Sequence, residues 1–225
     1  MSGIDDAKRS AARAALGELP HEGVIGLGTG STTRFFIDAV GELVKEGRRL
    51  VGVPTSEASR KQATALGIPL LGDEGPWDIA VTVDGADEVS DALDLIKGGG
   101  GAQTREKIVN YSSAKNVIIV DETKLSPRLG RTWPIPIEVL PFAHLATKAH
   151  LARHGTPVRR EKDGAVVRTD AGNFVYDLRV APIDDPRALD QALRAIPGVV
   201  ETGLFVQRAD IVLVAAASGV RKLTR

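Results

Sequence analysis

The sequence predicts an α/β fold: a Rossmann-like, mostly parallel sheet domain carrying a smaller inserted ferredoxin-like α+β domain. Three observations predict it. Short, almost wholly apolar runs alternate with segments of helical period through the first half of the chain. Glycine-rich stretches stand where those runs give way to helices. Past Trp133-Pro134 the order changes to β-α-β-β-α-β, and one more apolar run follows it. Strands this apolar, alternating with helices, belong to parallel sheets covered on both faces.

Taken in order, "MSGIDDAKRSAARAAL" has early acids and reads as an amphipathic helix. "GVIGLGTG" is a strand breaking into glycines. "STTRFFIDAVGELVKEG" follows with Phe35, Phe36, Ala39, Val40 and Leu43 on one helical face. "RLVGVPTS" is a second strand, "SEASRKQATALG" a second helix, "IPLLG" a third short strand and "DIAVTV" a fourth. "DLIKGGGG", the helix "AQTREKIVNYSSA" and the strand "NVIIVDET" complete this half. "PIPIEVL" opens the smaller domain, followed by the helix "FAHLATKAHLARHG" and the strands "PVRREK" and "FVYDLRV". In "DPRALDQALRAIPG", Asp185 is the expected helix N-cap and Pro186 its first residue. "VVETGLF" ends that set, the split order of a ferredoxin-like unit. "ADIVLVAA" is expected to return to the first sheet. The expected division is 1–131 plus 206–225 for the Rossmann-like catalytic domain and 132–205 for the small one.

Composition narrows the function classes. The 225 residues are 43% hydrophobic, enough for a sizeable core, and carry 29 basic against 29 acidic side chains. Zero net charge argues against a nucleic-acid partner. The absence of cysteine excludes disulfides, thiolate catalysis and Cys-type zinc sites. No run approaches the ~18 uninterrupted apolar residues of a membrane span, and the N-terminal segment does not read as a signal peptide. The cytoplasm is the expected compartment.

"GLGTGSTT" sits at a strand-to-helix junction, where free amides attract anions and glycines admit a phosphate to the backbone. Thr29, Ser31 and Thr32 add hydroxyl donors. The dinucleotide pattern G-x-G-x-x-G requires glycine at Ser31 and an acid at the end of the second strand, and neither is present. A P-loop lysine is missing too. The segment reads as a small phosphate cradle, set against a plain tight turn that needs glycine and a cap.

Three carboxylates, Asp84, Asp87 and Glu88, close the apolar run in "VTVDGADE". "LIKGGGGAQTREK" places Lys97 before four consecutive glycines and Glu106 early in the next helix. Ordering such a glycine run is entropically costly, so its backbone is expected close to something. Ligands bind beyond the carboxyl ends of strands in open α/β sheets. Thr29–Thr32, Asp84–Asp87, Lys97 and Lys124 all stand at expected strand ends. Aspartates, a lysine and a glutamate around a phosphate cradle suit proton transfer on a sugar phosphate. The competing readings are strand-end turn and cap residues, or a magnesium site on Asp84, Asp87 and Glu88. His150 and His154, four apart, have metal-pair spacing but fit a solvated helix face better.

"GLGTGSTT", "TSEAS", "VDGADE", "IKGGGGAQTREK" and "PIEVLPFA", in this order, closely resemble the type A ribose-5-phosphate isomerase family. The resemblance covers nearly the whole chain, including "IPGVVETGLF". It implies interconversion of ribose 5-phosphate and ribulose 5-phosphate, with no metal and no organic cofactor, in a homodimer or homotetramer. By the same resemblance Glu106 matches the base that moves the proton between carbons 1 and 2. Asp84 and Asp87, with Gly85 and Ala86 between them, match the acids and backbone lining the sugar. Lys97 matches the lysine beside the enediolate oxygen, and Gly98, Gly99 and Gly100 match substrate-binding backbone. Thr29, Gly30, Ser31 and Thr32 match the substrate loop. Lys124 matches a substrate-contacting lysine, and Lys8, more loosely aligned, a phosphate-contacting one. The departures, Gly101 where alanine is also common and Pro127 after Lys124, touch none of these positions. A sugar-phosphate sensor, a nucleotide-dependent oxidoreductase and an acyl-CoA transferase are the alternatives from other classes. The first has no need of Glu106, the second lacks its glycine pattern, and the third does not ask for "DGADE".

Overall fold

A computed structural model describes residues 3–225. The chain divides into two compact units, the first formed by residues 1–86, 105–124 and 208–225, the second by 87–104 and 125–207. Residues 87–104, 125–131 and 206–207, expected from sequence with the Rossmann-like part, thus group by contact with the second unit.

The first unit is built on a six-stranded sheet. Arg49–Pro54, Glu22–Leu27, Ile79–Asp84, Asn116–Asp121 and Ile211–Ala216 lie side by side in that order, all parallel. The run after residue 208 does return to this sheet, as expected. Gly219–Thr224 then adds an antiparallel edge strand that the sequence reading did not include. Helices Gly3–Ala15, Ser31–Lys45 and Glu57–Ala65 accompany it. Phe36, Ile37 and Val40 project from the second of these into a core with Ile25, Leu27, Leu50, Val81, Val83, Val117, Ile119 and Leu213. Each such large side chain contributes about 1.5–3 kcal/mol by leaving water. The expected strand at "IPLLG" is reduced to a single bridge, Leu70 with Gly52. It rests on the Gly52 amide to the Pro69 carbonyl at 2.7 Å and the Leu71 amide to the Gly52 carbonyl at 3.0 Å, and Pro69 itself cannot donate to a ladder.

The second unit holds the ferredoxin-like arrangement. Ile135–Val139, helix His144–Leu151, Thr156–Arg159, Phe174–Arg179, helix Pro186–Arg194 and Val199–Thr202 follow each other in the predicted β-α-β-β-α-β order. The strands pair antiparallel, with Val199–Thr202 and Phe174–Arg179 flanking Ile135–Val139, and Thr156–Arg159 outermost. Asp185 caps the second helix through the Ala188 amide at 3.0 Å, with Pro186 at its start, as the sequence predicted. Ile135, Ile137, Val139, Leu151, Tyr176, Leu178 and Leu193 form the core. A second small sheet joins Leu204–Phe205, Leu95–Ile96, Glu88–Ser90 and Leu125–Ser126 in that order.

Candidate active site

In the first unit, the parallel strands bring the turn after Leu27, the turn after Pro54, the end of Ile79–Asp84 and the turn Glu122–Lys124 to the same, carboxyl-end edge of the sheet. Asp84 is 3% exposed there. Its Oδ1 accepts the amide of Thr29 at 2.9 Å and that of Gly85 at 2.7 Å, and the Gly28 amide reaches the Val83 carbonyl at 3.0 Å. Strand and glycine turn are so close that a Cβ on Gly28 would lie 2.2 Å from Asp84 Oδ1 and 2.6 Å from its Cα. Glycine is required here by space.

The "TSEAS" segment supports the same turn. Thr29 Oγ1 lies 2.7 Å from the hydroxyls of Thr55 and Ser56 and 3.2 Å from that of Ser59. Ser59 donates to the Gly28 carbonyl at 2.6 Å, and Thr55 to the Leu27 carbonyl at 3.2 Å. The amide and hydroxyl of Thr29 are therefore both engaged within the protein. Gly30 and Ser31 are exposed and Thr32 half-buried, on the first turn of Ser31–Lys45. That is where an anion meets unsatisfied helix amides.

Glu106 is 4% exposed on helix Gln103–Tyr111. Arg105 beside it donates to Glu57 Oε1 at 2.8 Å and holds that carboxyl below the usual carboxylate range. Lys124 is half-buried at the end of its turn, and Lys8 half-buried on Gly3–Ala15.

In the second unit, Lys97 follows Leu95–Ile96 and is 2% exposed. The sequence reading placed it at the rim of the main sheet, but its strand belongs to the small one, because Leu95–Ile96 pairs with Glu88–Ser90 and Leu204–Phe205. The Lys97 amide donates to the Gly203 carbonyl at 2.9 Å, and its Nζ stands 5.4 Å from the Phe205 ring centre. Gly98–Gly101 form a turn closed by the Gly101 amide on the Gly98 carbonyl at 2.9 Å. Asp87, half-buried, accepts the Gly99 amide through Oδ2 at 2.7 Å. A Cβ on Gly99 would sit 2.5 Å from Asp87 Oδ1, so that carboxylate would have to move to admit one.

Glu88 has a different task from its neighbours. It is fully buried and accepts four backbone amides, from Gly130 at 2.9 Å, Arg131 and Thr132 at 3.2 Å and Trp133 at 3.3 Å. Both oxygens are thereby turned to the 130–133 loop, and the magnesium reading of the three acids loses one of its ligands. Among the described residues no group of three or more His, Asp or Glu side chains is arranged to hold a metal ion. His144 is a packing residue: its Nδ1 lies 2.7 Å from the Tyr176 hydroxyl, whose pKa burial raises.

Sequence reasoning missed two further groups. Glu138, in "PIEVLPFA", is 1% exposed and accepts from Thr169 and the Asn173 side chain, each at 2.8 Å, and from the Thr104 hydroxyl. Arg160 forks onto Asp177 and reaches the carbonyls of Gly98 and Gly99 at 2.9 and 3.1 Å. A buried acid inside an otherwise apolar strand was the available hint for Glu138. For Arg160, nothing separates it from Arg159 before the fold is known.

This chain is similar over its whole length to proteins of one kind. The family model for ribose 5-phosphate isomerase A (phosphoriboisomerase A) matches residues 51–219. The ribose-5-phosphate isomerase A of Bradyrhizobium diazoefficiens is 45% identical, covering 99% of this chain and 97% of that protein. That of Thermosynechococcus vestitus is 47% identical, over 94% and 92%. Among solved structures, a D-ribose-5-phosphate isomerase in complex with phospho-erythronic acid superposes with a TM-score of 0.96 at 42% identity, over 100% of both chains. The enzyme from Methanocaldococcus jannaschii gives 0.94 at 39%, over 99% of this chain and 100% of that one. With Asp84 seated on the turn at Gly28–Thr29 and Asp87 on Gly99 as described, the chain belongs to the ribose 5-phosphate isomerase A family.

Proposed function

We infer that this protein interconverts D-ribose 5-phosphate and D-ribulose 5-phosphate, an aldose–ketose isomerisation through an enediolate, within the non-oxidative pentose phosphate pathway. Family membership over the full chain supports the reaction. The observation that carries the reading into this molecule is the pair of acid-seated glycine segments, Asp84 on Gly28–Thr29 and Asp87 on Gly99.

The roles we assign follow from chemistry. The sugar phosphate must be presented as its open aldehyde. Glu106 removes the proton on carbon 2, the electron pair forms the carbon 1–carbon 2 double bond, and the carbonyl oxygen on carbon 1 takes up negative charge. Lys97 and the amides of Gly98–Gly100 stabilise that charge. Glu106 returns the proton to carbon 1 while the proton of the carbon 2 hydroxyl passes to the oxygen on carbon 1, leaving the ketone and a carbon 1 hydroxyl. Asp84 and Asp87, with the backbone of Gly85 and Ala86, line the sugar and serve its hydroxyl protons and ring opening. Gly30, Ser31 and Thr32 hold the phosphate, with Thr29 shaping their turn, and Lys124 and Lys8 supply positive charge to the substrate. We place the enzyme in the cytoplasm as a homodimer or homotetramer. In the described residues, no helix is long and apolar enough to cross a membrane.

Turnover of ribose 5-phosphate in D₂O with a chelator present tests the reading. Deuterium entering carbon 1 of the ketose supports metal-free proton transfer. Glu106→Gln is expected to lose roughly 10²–10⁴-fold in kcat, the range for removing a general base. Near-normal turnover by that variant would refute the assignment. Binding without turnover by the parent protein would favour the sugar-phosphate sensor.

A further inference from the structure

Four successive glycines do not hold a shape by themselves, since each has more backbone freedom to lose than any other residue. Asp87 fixes one amide of this loop, that of Gly99. The opposite side is held by a residue outside every motif named above. Arg160, whose side chain is 15% exposed, presents Nε and Nη2 to the two carboxylate oxygens of Asp177, the Nε contact at 2.9 Å. This bidentate fork fixes the plane of the guanidinium. Its remaining corner, Nη1, then donates to two successive carbonyls, Gly98 at 2.9 Å and Gly99 at 3.1 Å.

Peptide planarity turns this grip into an orientation. In a trans peptide the carbonyl and the N–H point in opposite directions, and the only cis bond among the described residues is Gly75-Pro76. Because both carbonyls converge on Nη1, the amides of Gly99 and Gly100 both face away from Arg160. The first meets Asp87. The second belongs to an exposed residue.

We propose that Arg160, locked by Asp177, is the positioning residue of the four-glycine loop, and that it aims the Gly100 amide at the oxygen that becomes the enediolate. The proposal rests on the isomerase reading above. A donor delivered this way acts on charge that develops in the transition state, so its loss is read in kcat before KM.

The test uses the full-length enzyme and three variants, Arg160→Met, Arg160→Lys and Asp177→Asn. Arg160→Met is expected to lower kcat about 10²-fold, the effect of misplacing a catalytic group by about 1 Å, with a smaller change in KM. Lysine cannot fork and grip together, so Arg160→Lys is expected to stay impaired. Asp177→Asn keeps the shape of the fork, so it tests the pair even if the arginine variants fold poorly. Its expected fall in kcat is smaller. Phospho-erythronic acid, whose carboxylate resembles the enediolate, should lose more affinity for Arg160→Met than ribose 5-phosphate does. A purely structural defect would weaken both alike. Hydrogen exchange of the peptide spanning 97–101 should quicken in the variants.

Unchanged exchange would overturn the clamp. Faster exchange with unchanged kcat, in variants that remain folded, would overturn the positioning role. If the parent enzyme fails to turn over ribose 5-phosphate, the isomerase reading and the catalytic half of this proposal fall, while the exchange data still decide whether the clamp exists.

Discussion

Asp84 and Asp87 stand three residues apart, and each seats a glycine segment, yet the two seats are built differently. Asp84 is buried and takes two amides, with Gly28 packed against its Cα as well as its carboxylate. A hydroxyl cluster from "TSEAS" backs the turn from behind. Asp87 is half-buried and takes the amide of an exposed glycine, and the loop it seats is backed by the Arg160–Asp177 pair. The first seat is part of a sheet core. The second is a loop held from two sides by side chains. Stability is expected to depend on the first, and turnover on the second.

The largest effect separating them should come from adding one methyl group to each glycine. In Gly28→Ala the new carbon would meet Asp84 Cα at 2.6 Å, which is backbone, so the strand itself must move. Overpacking of this kind costs about 1–3 kcal/mol and occasionally more, and we place Gly28→Ala at or above the top of that range by urea denaturation. In Gly99→Ala all three nearest atoms belong to the Asp87 carboxylate group, the far end of a half-buried side chain. That group can swing aside, so the expected outcome is a stability near that of the parent with turnover much reduced. Equal destabilisation of both variants would break the comparison.

Removing the acids gives the next effect. Asp84→Ala leaves the Thr29 and Gly85 amides without this acceptor, and an unsatisfied buried donor costs about 1–3 kcal/mol. In Asp87→Ala the Gly99 amide, which loses its acceptor, belongs to an exposed residue and water can reach it. The urea midpoint should therefore fall clearly for Asp84→Ala and little for Asp87→Ala, although both lose activity. A lower midpoint for Asp87→Ala would place the second seat in the stability-determining core after all.

The same contrast explains what could be read before the structure. The glycine turn of the first seat was legible because it is local, an apolar run, a glycine turn and a helix start within "GVIGLGTGSTT", whereas Thr55 and Asp84 reach it across 26 and 55 residues. The ferredoxin-like order was legible from period and turn chemistry, including the Asp185 cap. What escaped was set by contacts distant in sequence. Glu88 is next to Asp87 in the chain, but it turns to amides 42 to 45 residues away. Arg160 lies 62 residues from Gly98 and 17 from Asp177, in a segment whose charge pattern singles out nothing. Gly219–Thr224 was missed because an exposed edge strand carries charge, here Arg221 and Lys222, where a buried one would be apolar. Lys97 was assigned to the wrong sheet because a two-residue strand has no period to read.

The smallest expected effect sharpens the comparison from the substrate's side. Ser59 is 4% exposed, donates to the Gly28 carbonyl at 2.6 Å and lies 3.2 Å from the Thr29 hydroxyl. Ser59→Ala removes the donor to the Gly28 carbonyl and the contacts with the Ser56 and Thr29 hydroxyls, while leaving Asp84 and the turn's own amides in place. The stability loss should be about 1 kcal/mol, the net worth of such a bond. If this seat holds the phosphate, a part of the substrate that does not react, its loosening weakens ground state and transition state alike. KM for ribose 5-phosphate should then rise with kcat unchanged. That is the reverse of the split expected for Arg160→Met, where the loop faces the atoms that change charge. A fall in kcat at constant KM for Ser59→Ala would mean that the hydroxyl cluster also sets the reacting end of the sugar. The division of labour between the two seats would then have to be abandoned.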